Sequence, residues 1–259
     1  CSLRWFLQHE AKGQTVSAAA TGFGSLIHAI ADAVARGELP ADHQALVNEV
    51  SARWGALSYE ARWQGDAELA EARQVLARFL NWHQSDRGRS LVATEVPFDV
   101  EFEAGDDRVA VRGKADRVEL DTEARLHVVD LKTERKAKSA KEVVEHRQLA
   151  LYQLAAQEGA FDDALESTRP QYPAGALTDR PVVAGAELVQ LRISGGHGDG
   201  PKVQGQNAVD GDQIRDALAE AVAVIRSEGF APAPSDRSCR ICDFALVCPA
   251  RAEGNEVTA

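Results

Sequence analysis

Asp116, Asp130 and Lys132 are the residues of this chain whose types and spacing could do chemistry. They sit in G-K-A-D-R-V-E-L and L-H-V-V-D-L-K-T, two apolar-alternating runs between Gly113 and Thr133 that flank the turn Asp121-Thr122-Glu123-Ala124. The pattern predicts a β-hairpin or a close strand pair. Side chains alternate along a strand, so Asp130 and Lys132 share a face and Leu131 points to the core. Two carboxylates brought together in this way can hold a hard divalent cation through oxygen. An ammonium beside them can orient or help deprotonate a water, or offset charge building on a phosphate. That chemistry is metal-assisted hydrolysis. Strand ends often carry solvated charges, but Asp130 follows Leu126-His127-Val128-Val129, which reads as a central, buried strand. A carboxylate there needs a cation or hydrogen bonds to offset its desolvation.

The elements that must position these residues can be read around them. Thr133 to Lys141 is a charged loop with Lys136, Lys138 and Lys141, suited to phosphate contacts because it leaves the second strand directly. Ser139 with Glu142 also forms a capping-box signature for a helix expected over 139–158, ending at Gly159; the two readings are compatible. Gln148 and Tyr152 lie four apart on that helix and face the same way. Upstream, Ser90 to Glu103 has Val92, Val96, Phe98, Val100 and Phe102 on one parity, a strand or two joined at Pro97, with Glu95 on the other side. Residues 17–37 predict a helix with Phe23, Leu26, Ile27, Ile30 and Val34 as its apolar stripe and His28 beside it, ended by Gly37 and Pro40. Cys1 to Gln8 reads as a short helix, and 41–53 and 60–84 as two more. Trp54, Trp63 and Trp82 suit core or groove anchors better than base-stacking platforms. Downstream, 160–183 reads as an irregular connection and Glu187 to Ile193 as a strand. Residues 194–208, with five glycines, read as a flexible loop. An amphipathic helix follows over 211–228 (Ile214, Leu218, Ala221, Val222, Ile225), stopped by Ala-Pro-Ala-Pro at 231–234.

The 259 residues suffice for a substantial core. No apolar run has membrane-spanning length and no signal peptide is present, so a soluble, cytoplasmic protein is expected. The absence of methionine suggests a piece of a longer chain. The net charge of −11 is a poor match to a protein that binds nucleic acid by its overall field, so any such binding must rest on locally clustered cations or a partner's basic channel.

Cys239-Arg240-Ile241-Cys242 and Cys248 form a C-x2-C-x5-C cluster, and Cys1 is the remaining cysteine. In an intracellular chain this points to a metal site rather than disulfides. Zinc is the default for four cysteines; the split of one ligand from three, and the proline after Cys248, suit an iron–sulfur cluster.

Taken together, the motifs resemble the PD-(D/E)-x-K nuclease superfamily, and within it the RecB-like exonuclease branch. There an aspartate-bearing strand, a D-x-K strand and a Q-x-x-x-Y helix occur in this order. The resemblance implies a restriction-endonuclease-like α/β fold: a central mixed β-sheet flanked by helices, with the chain ends tied by the four-cysteine cluster. It implies one domain over 1–259, with a helical part (1–89), a catalytic core (90–193), a loop and helix (194–230) and a cysteine segment (231–251). Gly24 and His28 match the branch's G-x-x-x-H helix, whose histidine binds the active-site metal. With it, Asp116, Asp130 and the Leu131 carbonyl would hold Mg2+ or Mn2+, with Glu95 as a further candidate. Lys132 would position or activate water, and Gln148 and Tyr152 would position substrate. Members with this cysteine spacing, of the AddAB and AdnAB types, carry a [4Fe-4S] cluster, here on Cys1, Cys239, Cys242 and Cys248. The implied function is a DNA exonuclease domain of a helicase–nuclease that resects double-strand breaks. Its partners would be single-stranded DNA, an upstream helicase motor and a second helicase–nuclease subunit. A free-standing exonuclease of the CRISPR-adaptation type and a catalytically silent DNA-guiding domain are the alternatives.

Overall fold

The computed structural model describes residues 1–13, 18–57, 59, 61–172, 177, 178, 180–196, 199–235, 239, 240, 242–252 and 254. Among these, the strands form one five-stranded sheet in the order β1 (Arg89–Ala104), β2 (Asp107–Asp121), β3 (Leu126–Lys132), β4 (Val183–Ser194) and β5 (Pro201–Asn207). The β2–β3 pair is antiparallel, with Arg117 opposite Val129 and Leu120 opposite Leu126. Its turn is closed by Ala124 N–H donating to the Asp121 carbonyl at 2.9 Å. β3 runs parallel to β4, and β4 antiparallel to β5, so the sheet is mixed and β3 is its middle strand. β1 lies at an edge, where a sheet tolerates a proline such as Pro97.

Three helices cover one face: α2 (Ala18–Ala35), α3 (His43–Arg53) and α4 (Arg62–Gln84). Phe23, Ile27 and Ile30 from α2, Leu46 and Val50 from α3, and Leu76 and Phe79 from α4 bury against Val129 and Leu131 of β3 and Val189 and Leu191 of β4. The odd positions of β3 therefore face this core, and the even positions, Asp130 and Lys132, face the other side. There α6 (Arg147–Gln157) packs on β3 and β4, and α5 (Ala140–Val144) on β5.

Three expectations are corrected. The helix read over 139–158 is two. Its Ser139–Glu142 capping box is present, but the chain breaks at Glu145–His146, where His146 caps α6 by accepting from Leu149 N–H. Gln206 Nε2 reaches the Val143, Val144 and His146 carbonyls at the break, of which Val143 and His146 also accept from the His146 and Ala150 N–H groups. Residues 160–183 contain α7 (Asp162–Thr168), too short for a periodic signal. The glycine-rich stretch over 194–208 contains β5. Its inward positions include glutamines bonded to backbone carbonyls, so the apolar alternation that marks most strands is missing.

The described residues divide into two compact units. The larger, 19–103 with 108–214, holds the layers just described. The smaller comprises 1–18, 104–107 and 215–259. In it α1 (Ser2–His9) stacks Phe6 on Phe230, ring centroids 4.8 Å apart, and Ser2 Oγ donates to the Ala231 carbonyl. α8 (Gly211–Arg226) has the expected amphipathic stripe, yet none of its residues is buried.

Candidate active site

His28 is brought in by α2. Gly24, one turn earlier, allows the helix to lie close to the chain leaving β3, since a Cβ there would come within 3.1 Å of Thr133 Oγ1. Glu95 is supplied by β1 from a backbone with φ +50°, a left-handed conformation that costs a non-glycine residue on the order of 1–2 kcal/mol. Asp116 stands on β2, and Asp130 and Lys132 at the C-terminal end of β3.

His28 Nδ1 lies 3.4 Å from Asp116 Oδ1 and 3.9 Å from Glu95 Oε1. One ligand atom from each of the three lies within 4.8 Å of the others; among the described residues, no other such group of histidine, cysteine and acidic side chains occurs. They line a cleft of about 480 Å3 together with Gly24, Ser25, Asp32 and Lys114. Asp116 Oδ2 accepts the Leu131 N–H at 2.8 Å, which fixes the carboxylate against β3. Asp130 is buried beside this group, with Oδ2 2.7 Å from Lys132 Nζ.

Behind the acids runs a chain of hydrogen bonds. Lys132 Nζ donates to Gln148 Oε1 at 3.0 Å, Gln148 Nε2 to Tyr152 Oη at 2.8 Å, and Tyr152 Oη to the Lys114 carbonyl at 3.1 Å. The i, i+4 pair on α6 thus connects the lysine of β3 to the backbone of β2. The Lys114 ammonium turns outward and pairs with Glu95 Oε2.

The electrostatics follow from burial and like charge. Desolvation pushes the Asp130 carboxyl up to about 6; Lys132 opposes the shift and Asp116 adds to it. Burial works against a charged His28, but its contact with Asp116, aided by Glu95 and Asp130, raises its pKa overall. Burial, with Asp130 adding to it, raises the Tyr152 phenol, so it remains a neutral hydrogen-bonding group. An imidazole and two carboxylates converging beside a carboxylate that resists ionisation suit a divalent cation, whose charge would favour every ionised acid.

Of the residues singled out in the sequence, His28, Asp116 and Glu95 form the convergent group, and Asp130, Lys132, Gln148 and Tyr152 adjoin it. Leu131 contributes its N–H to Asp116 and its side chain to the core. Lys114 was missed. The available signal was its place two residues before Asp116, hence on the same side of β2. Lys138 and Lys141 pair with Glu134 and Glu145. Trp82 is buried, Trp54 stacks on Tyr59, and Trp63 is 70% exposed. None of the four cysteines is in a disulfide. In the smaller unit Cys1 Sγ accepts from Ala233 N–H and Cys239 Sγ from Ser235 N–H.

The family model of the PD-(D/E)XK nuclease superfamily matches residues 1–249, and the chain belongs to that superfamily. No curated protein matches it. Among solved structures, the crystal structure of SSO0001 aligns over 74% of this chain and 79% of its own, with 18% identity and a TM-score of 0.38.

Proposed function

We propose that this nuclease-family chain is a Mg2+- or Mn2+-dependent exonuclease that hydrolyses phosphodiester bonds of single-stranded DNA. The convergence of His28 Nδ1, Glu95 and Asp116 next to the Asp130–Lys132 pair carries the reading. His28, Asp116 and Asp130, with Glu95 and the Leu131 carbonyl, would hold the ion. A divalent cation bound there supplies charge stabilisation at the phosphate and a lowered pKa for water. Lys132, held by Asp130 and Gln148, presents its ammonium where charge develops on the phosphate. Tyr152 keeps Gln148 in place by accepting from its amide.

In the larger setting, the chain acts as the nuclease domain of a cytoplasmic helicase–nuclease that resects double-strand breaks, with a helicase motor and a second subunit as partners. The motif order His28, Asp116, Asp130-Leu131-Lys132, Gln148, Tyr152 supports this setting, as do the four unpaired cysteines, which suit a reducing compartment. No helix among the described residues is long and apolar enough to cross a membrane. Cys1, Cys239, Cys242 and Cys248 would hold a [4Fe-4S] cluster with a structural role. Backbone N–H groups already directed at two of these sulfurs suit a thiolate-bound cluster.

The test is cleavage of end-labelled single-stranded DNA with and without Mg2+ or Mn2+, comparing wild type with Asp130→Ala. Metal-dependent shortening by the wild type alone, with both proteins folded by circular dichroism, is the expected result. Equal cleavage by Asp130→Ala, or none by wild type with either metal, defeats the proposal.

A further inference from the structure

Gln190, in β4, is fully buried, and neither its amide nitrogen nor its amide oxygen finds a hydrogen-bond partner among the described residues. Buried amides rarely lack partners, because desolvating such a group without a new bond is unfavourable. An apolar side chain would fill a central strand position with less loss. Its position gives the amide a use. In register Gln190 stands between Lys132 on β3 and Lys202 on β5, so the three side chains leave the sheet side by side on one face. Gln204, one step diagonal on β5, donates to the Lys138 carbonyl at 2.8 Å, but its buried Oε1 also lacks a partner. Lys132 has three N–H donors: it donates to Gln148 Oε1 and forms an ion pair with Asp130, whose buried Oδ2, at 2.7 Å, itself lacks an aligned hydrogen bond.

We infer that Gln190 is a positioning residue for Lys132. With Gln204 Oε1 it holds an internal water that accepts the third N–H of the ammonium. Such a water has the two to four polar partners that a buried water needs. The arrangement fixes Lys132 from three sides, so the ammonium does not swing away from the site toward Lys202. Gln190 itself, being fully buried, does not touch substrate.

This inference rests on the nuclease reading above, and two substitutions separate their failures. Gln190→Met keeps the length and removes the amide; Gln190→Glu keeps acceptor oxygens for the water. Gln190→Met is expected to lower Tm by about 2–4 °C with the fold kept by circular dichroism, because Lys132 and Gln204 lose the water that pairs them. It should also lower kcat about tenfold or more, the scale typical of outer-shell partners, leaving KM and Mn2+ affinity unchanged. Gln190→Glu should recover most of the lost kcat. A rise in Tm for Gln190→Met would show an amide that holds no water and overturn the inference. So would an unchanged kcat, an effect confined to KM or metal affinity, or a Gln190→Glu variant as slow as Gln190→Met. A wild type that cleaves nothing overturns the nuclease reading and this inference with it; a wild type matched by Gln190→Met overturns this inference alone.

Discussion

Asp116 binds Leu131 through the backbone: its Oδ2 accepts the Leu131 N–H at 2.8 Å while its Oδ1 faces His28 at 3.4 Å. One carboxylate therefore both fastens β2 to the end of β3 and presents an oxygen to the imidazole on α2. The candidate metal centre is built on a helix and strands, α2, β1 and β2, rather than on loops, which is where a site needing close placement is best built.

Glu95 holds a left-handed backbone, φ +50°, in order to aim its carboxylate at His28. Glycine adopts that conformation without strain. Glu95→Gly should therefore stabilise the protein by about 1 kcal/mol, a rise of roughly 2–4 °C in Tm. The same variant should bind Mn2+ more weakly in calorimetric titration. Glu95→Gln keeps the strain, so it should lose metal affinity with no gain in Tm. A Glu95→Gly protein that is less stable than wild type counts against strain at this position.

Tyr152 joins Gln148 to the Lys114 carbonyl through one hydroxyl. Tyr152→Phe leaves both groups without that partner, at a cost of about 1–3 kcal/mol in urea unfolding. Gln148 then holds Lys132 less firmly, so kcat should fall about tenfold at unchanged KM. A change in KM alone would place Tyr152 in substrate binding.

Glu119 lies fully buried on β2 between Arg87, which donates to Oε2 from Nη1 at 2.9 Å, and Arg117. Burial alone would raise its pKa, but the two guanidiniums outweigh burial and hold it below the ordinary carboxylate value. A depressed folded-state pKa contributes stability that is fully present above the unfolded value and lost as pH falls through the folded one. Glu119→Gln should cost about 3–5 kcal/mol at pH 7, because buried arginines lose their counter-charge. The gap between variant and wild type should narrow as unfolding is measured at pH values below the unfolded carboxylate value. A gap that stays constant with pH would mean that the charge is not what matters.

Cys242 lies in the smaller unit and is not in a disulfide. If the four cysteines hold a cluster, protein purified without oxygen should contain about four irons and show visible charge-transfer absorbance. Cys242→Ser should lose that absorbance and unfold more readily, since metal binding then contributes to folding free energy. Stoichiometric zinc in place of iron would rule the cluster out.

The sequence by itself determined the local pieces. The alternation of Leu126 to Lys132 set Asp130 and Lys132 against Leu131, and the Ser139–Glu142 box marked the start of α5. The stripe of α2 placed Phe23, Ile27 and Ile30 inward, leaving His28 at its margin. Each of these follows from one period or one cap, which a few neighbouring residues encode. Tertiary structure decided what depends on neighbours distant in sequence. Only the folded sheet sets Lys114 against Glu95, and only the packing of α2 sets His28 against Glu95. The break at His146 has its counterpart in Gln206, which takes up three carbonyls from another strand. β5 was hidden because its glutamines bond to backbone instead of alternating with apolar residues. Gln190 shows the same limit: its type is visible in the sequence, but the register that sets it beside Lys132 exists only once β3 and β4 have paired.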